Sequence, residues 1–183
     1  MLRLRRSSTS LFLLAAALGF APASFAAPLP TLTEWGSSGT AAGQFRMPLG
    51  VAVANDAVYV ADYENDRIQK FALDGRFLLE WGHSGSAPGE LLGPASVAVD
   101  THGDVYVADL HNHRVQKFSS EGRALTQWGT RGNRSGELDS PYGVAVDRSG
   151  HVFVADLGND RIQKFTDGGE WLASWGSPGM DRG

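Results

Sequence analysis

The stretch 141–165 reads Pro-Tyr-Gly-Val-Ala-Val-Asp-Arg-Ser-Gly-His-Val-Phe-Val-Ala-Asp-Leu-Gly-Asn-Asp-Arg-Ile-Gln-Lys-Phe, and near-copies of it begin at Pro48 and Pro94. Trp-Gly pairs keep the same beat, at Trp35, Trp81, Trp128 and Trp175, spaced by 46 or 47 residues. A tandem period of this length means one supersecondary unit that buries its apolar surface on its neighbours. The chain begins in mid-unit: residues 31–36, Thr-Leu-Thr-Glu-Trp-Gly, match only the end of the pattern. Three complete units then close at Trp81, Trp128 and Trp175, and residues 177–183 resemble the opening of a further loop.

Each unit holds four short β-rich runs bounded by Gly, Asp and Asn, which read as strands. In the third unit they fall near residues 143–146, 151–156, 161–165 and 170–175. The first two are almost wholly apolar, Val-Ala-Val and then Val-Phe-Val-Ala, so both faces of the sheet are expected to be covered. A four-stranded sheet with two buried faces, repeated in tandem, is the blade of a β-propeller. Ala52, Ala98 and Ala145 on the first strand, with Ala61, Ala108 and Ala155 on the second, supply small side chains where blades converge on an axis. The tryptophan of the fourth strand fills the wider gap at the rim. Asp74-Gly75, Glu121-Gly122 and Gly168-Gly169 sit where a hairpin turn between the third and fourth strands needs residues tolerant of positive φ.

The first 26 residues read as a secretory signal peptide. Arg3, Arg5 and Arg6 open a basic start, an apolar run follows at residues 11–20, and Ser24-Phe25-Ala26 is a small-x-small cleavage site. Arg5-Arg6 is followed by Ser7, Ser8 and Thr9, which departs from the twin-arginine pattern, so ordinary secretion is expected. Residues 27–30 form a Pro/Ala linker, and residues 31–183 the repeat domain. The expected location is therefore secreted or periplasmic, with no membrane attachment after cleavage. Cleavage removes three arginines and no acid, taking the formal net charge from -4 to -7. That balance argues against nucleic acid as a partner. The chain has no cysteine, which excludes disulfides and thiolate metal sites.

The run Val-Ala-Asp, a short loop with Asn, then Arg-Ile/Val-Gln-Lys-Phe resembles the NHL repeat, named for Asn-His-Leu. The second unit, Val107-Ala108-Asp109-Leu110-His111-Asn112-His113-Arg114-Val115-Gln116-Lys117-Phe118, contains the Asn-His step, with Arg114 and Val115 in place of an immediate Leu. WD repeats match less well, because Gly follows each Trp and no Gly-His opens the unit. The resemblance implies an all-β propeller, usually of five or six blades. This chain encodes three blades and one extra outer strand, residues 31–35. An open arc leaves a bare face of about 300 Å² at each end, from strand spacing and rise, worth about 7 kcal/mol if covered. The chain is then expected to be either part of a longer propeller or one half of a homodimer that closes a six-bladed ring.

Asp62/Arg67, Asp109/Arg114 and Asp156/Arg161 recur in every unit, as do Asn65, Asn112 and Asn159 and the Gln-Lys pairs that follow. A catalytic residue is needed once; a residue the blade itself requires returns in each blade. These positions are therefore read as structural, the Asp–Arg pairs bracing a hairpin by charge-assisted hydrogen bonds. Function is better sought where the units differ. Arg46, Tyr63, His111, His113, Arg131, Arg134 and Tyr142 lie in the loops between the fourth and first and between the second and third strands, or just inside the first strand, and are the candidate ligand contacts. His111 and His113 make a His-x-His step, which chelates zinc or copper if both rings turn one way. Two ligands do not complete a site, so no metal or cofactor is assigned. His83, His102 and His151 form no pattern.

Enzymatic relatives of the resemblance set a sharper test. The amidating lyase that acts on peptidyl-hydroxyglycine holds zinc through histidines directly after the blade-opening proline. The matching positions here are Leu49, Ala95 and Tyr142, none of which ligates zinc. Lactonase-type propellers need carboxylates and Asn facing the channel, where this chain has Val and Ala. No nucleophile elbow or Gly-rich phosphate loop is present, and no catalytic residue is assigned. The expectation is an exported, non-enzymatic module that binds or scaffolds a protein, peptide or glycan. The alternative is a hydrolase or lyase whose metal site lies in blades absent from this chain.

Overall fold

The computed structural model describes residues 34–176. The expected signal peptide, the linker, the first three residues of the extra outer strand and the tail 177–183 lie outside the described residues. Two short strands, β1 (Ser37–Ser38) and β2 (Gln44–Phe45), pair in parallel within the first long loop. Blade 1 consists of β3 (Pro48–Ala54), β4 (Ala57–Asp62), β5 (Arg67–Ala72) and β6 (Phe77–Trp81). Blade 2 consists of β7 (Pro94–Val99), β8 (Val105–Asp109), β9 (Arg114–Phe118) and β10 (Ala124–Trp128). Blade 3 consists of β11 (Pro141–Val146), β12 (Val152–Asp156), β13 (Arg161–Phe165) and β14 (Trp171–Trp175). Each blade is an antiparallel meander with its strands in sequence order. The expected strands of the third unit differ from the observed ones only at their first residues.

The blades are radial, and their first strands lie innermost. A Cβ at Gly50 would stand 2.7 Å from the Cα of Ser96 in the next blade, so β3 and β7 meet there nearly backbone to backbone. Between blades 1 and 2, Tyr59, Ala61 and Ile68 pack against Val97, Val107 and Phe118. Between blades 2 and 3, Tyr106, Ala108 and Val115 pack in the same way against Val144, Val154 and Phe165. Both sides of the apolar first and second strands of blade 2 are thus enclosed. Their lack of alternation follows directly.

The tryptophans set the outer spacing. Trp81 stands between Tyr59 of its own blade and Phe118 of the next, at centroid distances of 6.3 and 5.9 Å. Trp128 repeats this between Tyr106 and Phe165, at 6.3 and 5.9 Å. Each indole lies over the glycine of the next blade's last turn, and a Cβ at Gly122 or Gly169 would come within 2.7 Å of it. Both glycines have positive φ, 80° and 91°, so the turn and the close approach both select glycine.

Trp35 and Glu34, the described end of the expected extra strand, carry no strand pairing. Trp35 packs 4.5 Å from Phe71 and also contacts Phe45. It covers Gly75, which is the place in blade 1 that Trp81 takes in blade 2.

Candidate functional site

The register of each blade brings its functional loops to one end. Pro48 pairs with Asp62, Asp62 with Arg67, and Ile68 with Trp81. The start of the first strand, the turn between the second and third, and the long loop after the fourth therefore share one face. The turn is a short 3-10 segment, Tyr63–Asn65, Leu110–Asn112 or Leu157–Asn159, followed by a left-handed residue, Asp66, His113 or Asp160.

Under this face each blade holds one buried polar network. In blade 2, Asp109 Oδ2 accepts from Arg114 Nε at 2.7 Å, Asn112 Nδ2 at 2.9 Å and Gln116 Nε2 at 3.2 Å, while Oδ1 accepts from the backbone N–H of Leu92 at 2.8 Å. The Arg114 guanidinium then donates to the carbonyls of Ser86, Ala87 and Glu90 in the preceding long loop. Asp62 with Arg67, Asn65 and Gln69, and Asp156 with Arg161, Asn159 and Gln163, repeat the arrangement. The carboxylates are fully buried, and a buried charge is tolerated when its lone pairs are all met. The Asp–Arg pair thus braces its hairpin and also fastens the long loop to the blade. Sequence reasoning found the pair but missed Gln69, Gln116 and Gln163 as fully buried partners. Their threefold return seven residues after each Asp was the available signal.

Above the networks the blades differ. Arg46 makes an exposed ion pair with Glu64 at 3.1 Å. The Tyr63 hydroxyl is 2.8 Å from His111 Nε2 and joins blade 1 to blade 2. His113 Nδ1 accepts from the backbone N–H of Ser140 at 3.1 Å, with Asp139 Oδ1 3.2 Å away, and so faces blade 3. The two rings of the His-x-His step therefore turn to opposite neighbours, because the left-handed φ of 54° at His113 separates them. Among the described residues, no three His, Cys, Asp or Glu side chains stand together as a metal cluster.

Leu49, Ala95 and Tyr142 each occupy a register shift at the start of the innermost strand. Bulges of this kind re-aim a side chain. Leu49 and Tyr142 are exposed, whereas Ala95 is buried. Arg131 and Arg134 are exposed in the third long loop, whose Arg134 and Asn133 carbonyls accept from Arg161. The seven candidate contacts thus share the loop end of the arc. The structure pairs Tyr63 with His111 and leaves Arg131, Arg134 and Tyr142 as separate exposed side chains. A shallow recess beside Arg46 is lined by Ser37, Phe45, Met47 and Glu64.

Three stretches of the chain, residues 45–71, 91–118 and 138–165, match the NHL repeat, one in each blade. No curated protein matches the chain. Among solved structures, a virginiamycin B lyase from Staphylococcus aureus is 18% identical, over 72% of this chain and 42% of its own, with a TM-score of 0.54. A streptogramin B lyase is 22% identical over 72% and 41%, with a TM-score of 0.56. The WD40 repeats of RRP9 are 13% identical over 72% and 39%, with a TM-score of 0.57. This chain spans about two fifths of the length of each. Lyases and a WD40 protein share the architecture alike, so the likeness is one of fold. With the repeat matched once in every blade of an all-β radial array, the chain belongs to the NHL-repeat family and forms part of a β-propeller.

Proposed function

We propose that the chain is an exported, non-enzymatic module that binds or scaffolds a protein, peptide or glycan on its loop face. One observation carries this reading. The chemistry-capable side chains that recur in every blade are consumed by the buried networks, while the loop face varies from blade to blade and presents Arg46, Tyr142, Arg131 and Arg134 to solvent. Exposed Arg and Tyr are the side chains that most often anchor a partner. The innermost-strand positions that would carry a catalytic metal hold Leu49, Ala95 and Tyr142. Nothing in the described face is basic enough on its own to favour RNA, given the acidic chain.

Peptide and glycan arrays probed with the purified chain test this. Binding that disappears in Tyr142→Ala and Arg46→Ala, with thermal unfolding unchanged, is the expected result. Zinc or calcium held in one-to-one amount through dialysis would instead favour the hydrolase or lyase reading.

A further inference from the structure

The surfaces that meet inside the arc reappear, uncovered, on its two outer faces. Val51 of blade 1 is 65% exposed, whereas its counterpart Val97 in blade 2 is 5% exposed. At the other end Ile162 of blade 3 is 41% exposed, whereas Ile68 of blade 1 is fully buried. Trp175 stacks on Phe153 of its own blade and has no glycine turn beyond it among the described residues.

The polar links between blades are split in the same way. The Asp66 carboxylate accepts from the backbone N–H of Gly93 in blade 2 at 2.7 Å, and His113 accepts from that of Ser140 in blade 3 at 3.1 Å. The next acceptor in the series is Asp160, and the donor that would precede Gly93 is Met47. Asp160 keeps the left-handed backbone of Asp66, with φ of 51° against 52°. Met47 keeps that of Gly93 and Ser140, with φ of 50° against 62° and 54°. Among the described residues neither the Asp160 carboxylate nor the Met47 N–H has a partner, the Asp160 backbone N–H alone being taken up by the Leu157 carbonyl. One outer face carries the spare acceptor and the other the spare donor.

We propose that two copies of this chain meet head to tail, the outer face of blade 3 in each against the outer face of blade 1 in the other, closing a ring of six blades. Each junction would reproduce an internal one, with Asp160 accepting from Met47 and Ile162 packed beside Val51. Four faces of about 300 Å² each cover about 1,200 Å², the lower end of what specific interfaces bury. Two identical junctions related by a twofold axis close the assembly and leave no sticky end. The fit has one obstacle, which is also its signature. Trp175 of one copy needs the place over Gly75 that Trp35 already holds in the other. Trp35 is then a built-in competitor of the dimer and must leave as the junction forms.

Sedimentation velocity of the chain from about 1 to 100 µM, the range in which modest interfaces associate, tests the proposal. A monomer–dimer equilibrium without larger species is expected. Val51→Lys and Ile162→Glu, both exposed in a single copy, should each raise the dimer dissociation constant by about a hundredfold or more, since each buries an unpaired charge at both junctions. Mixing the two variants should restore dimers, because one junction then pairs opposite charges and the other is unaltered. Trp35→Ala, in a chain that keeps its native circular dichroism, should tighten the dimer. A chain monomeric throughout, growth into longer polymers, a mixture that stays monomeric, or a Trp35→Ala chain that dimerises less would each overturn it.

Discussion

The junction between blades 1 and 2 and the outer face of blade 3 are made from the same side chains, Ile with Trp on one hand and Ile with Trp on the other, yet one is dry and the other wet. Ile68 is fully buried and Trp81 partly so because blade 2 brings Val97, Val107 and Phe118 against them. Ile162 and Trp175 face solvent because the described residues bring nothing there. The same holds for Val97 against Val51. Burial of a blade face is thus a property of its neighbour and not of its own residues, whereas the polar network beneath the loops is complete within each blade and its own preceding loop. The internal networks hold each unit; the faces between units hold the array. This matches the nearest-neighbour energetics of repeat proteins.

The largest effect should come from breaking a network in the middle. Asp109→Ala leaves the Arg114 guanidinium buried without its carboxylate, at a cost of about 3–5 kcal/mol, read as a fall in the urea midpoint. Asp156→Ala in blade 3 should cost less, because the Arg161 side chain is 13% exposed where that of Arg114 is 7%, and water can reach it.

Alkaline titration separates the middle blade from the last by a single hydroxyl. Burial pushes the Tyr106 phenol up from its ordinary value to about 12, helped by the Asp100 carboxylate that accepts a hydrogen bond from its O–H at 3.0 Å. A raised folded-state value gives stability that is fully present below pH 10, the unfolded value, and is lost between about pH 10 and 12. The loss amounts to about 2–3 kcal/mol at 1.36 kcal/mol per pH unit. Tyr106→Phe should flatten that part of the stability curve. Blade 3 has Phe153 at the equivalent position and contributes no such step.

The smallest effect is expected at the rim. Tyr63→Phe removes the exposed link to His111 and should cost no more than about 1 kcal/mol, detectable as a small shift in thermal midpoint. A loss as large as that of Asp109→Ala would place the inter-blade energy in the loops and not in the strand faces.

The blades were legible because Val-Ala-Val and Val-Phe-Val-Ala abandon the alternation of a half-wet sheet, and because the same loop lengths return in each unit. The Asp–Arg pair was legible by its recurrence. The buried Gln side chains were harder to see, since a Gln between apolar neighbours in Arg-Ile-Gln-Lys-Phe reads as the wet face of a strand. Tyr63 and His111 are 48 residues apart, and no local spacing announces a bond between adjacent blades. The two histidines of the His-x-His step part company through a left-handed backbone at His113 that nothing in the residue type dictates. Trp35 is the instructive case. Its pattern marks it as the end of a fourth strand, but its packing partner is the turn of the following blade, a relation visible only once Trp81 and Trp128 are seen to do the same.

A paired substitution tests the central claim most directly: Val97→Asp against Val51→Asp, each unfolded in urea at about 1 µM, below the concentrations at which a modest interface associates. The two positions are equivalent in the repeat and differ only in whether a neighbouring blade lies against them. Val97→Asp should lose several kcal/mol or fail to fold, since it buries an unpaired carboxylate, while Val51→Asp should fold with stability within about 0.5 kcal/mol of the parent. Equal losses at the two positions, or a greater loss at Val51, would contradict the radial arc and its uncovered outer faces.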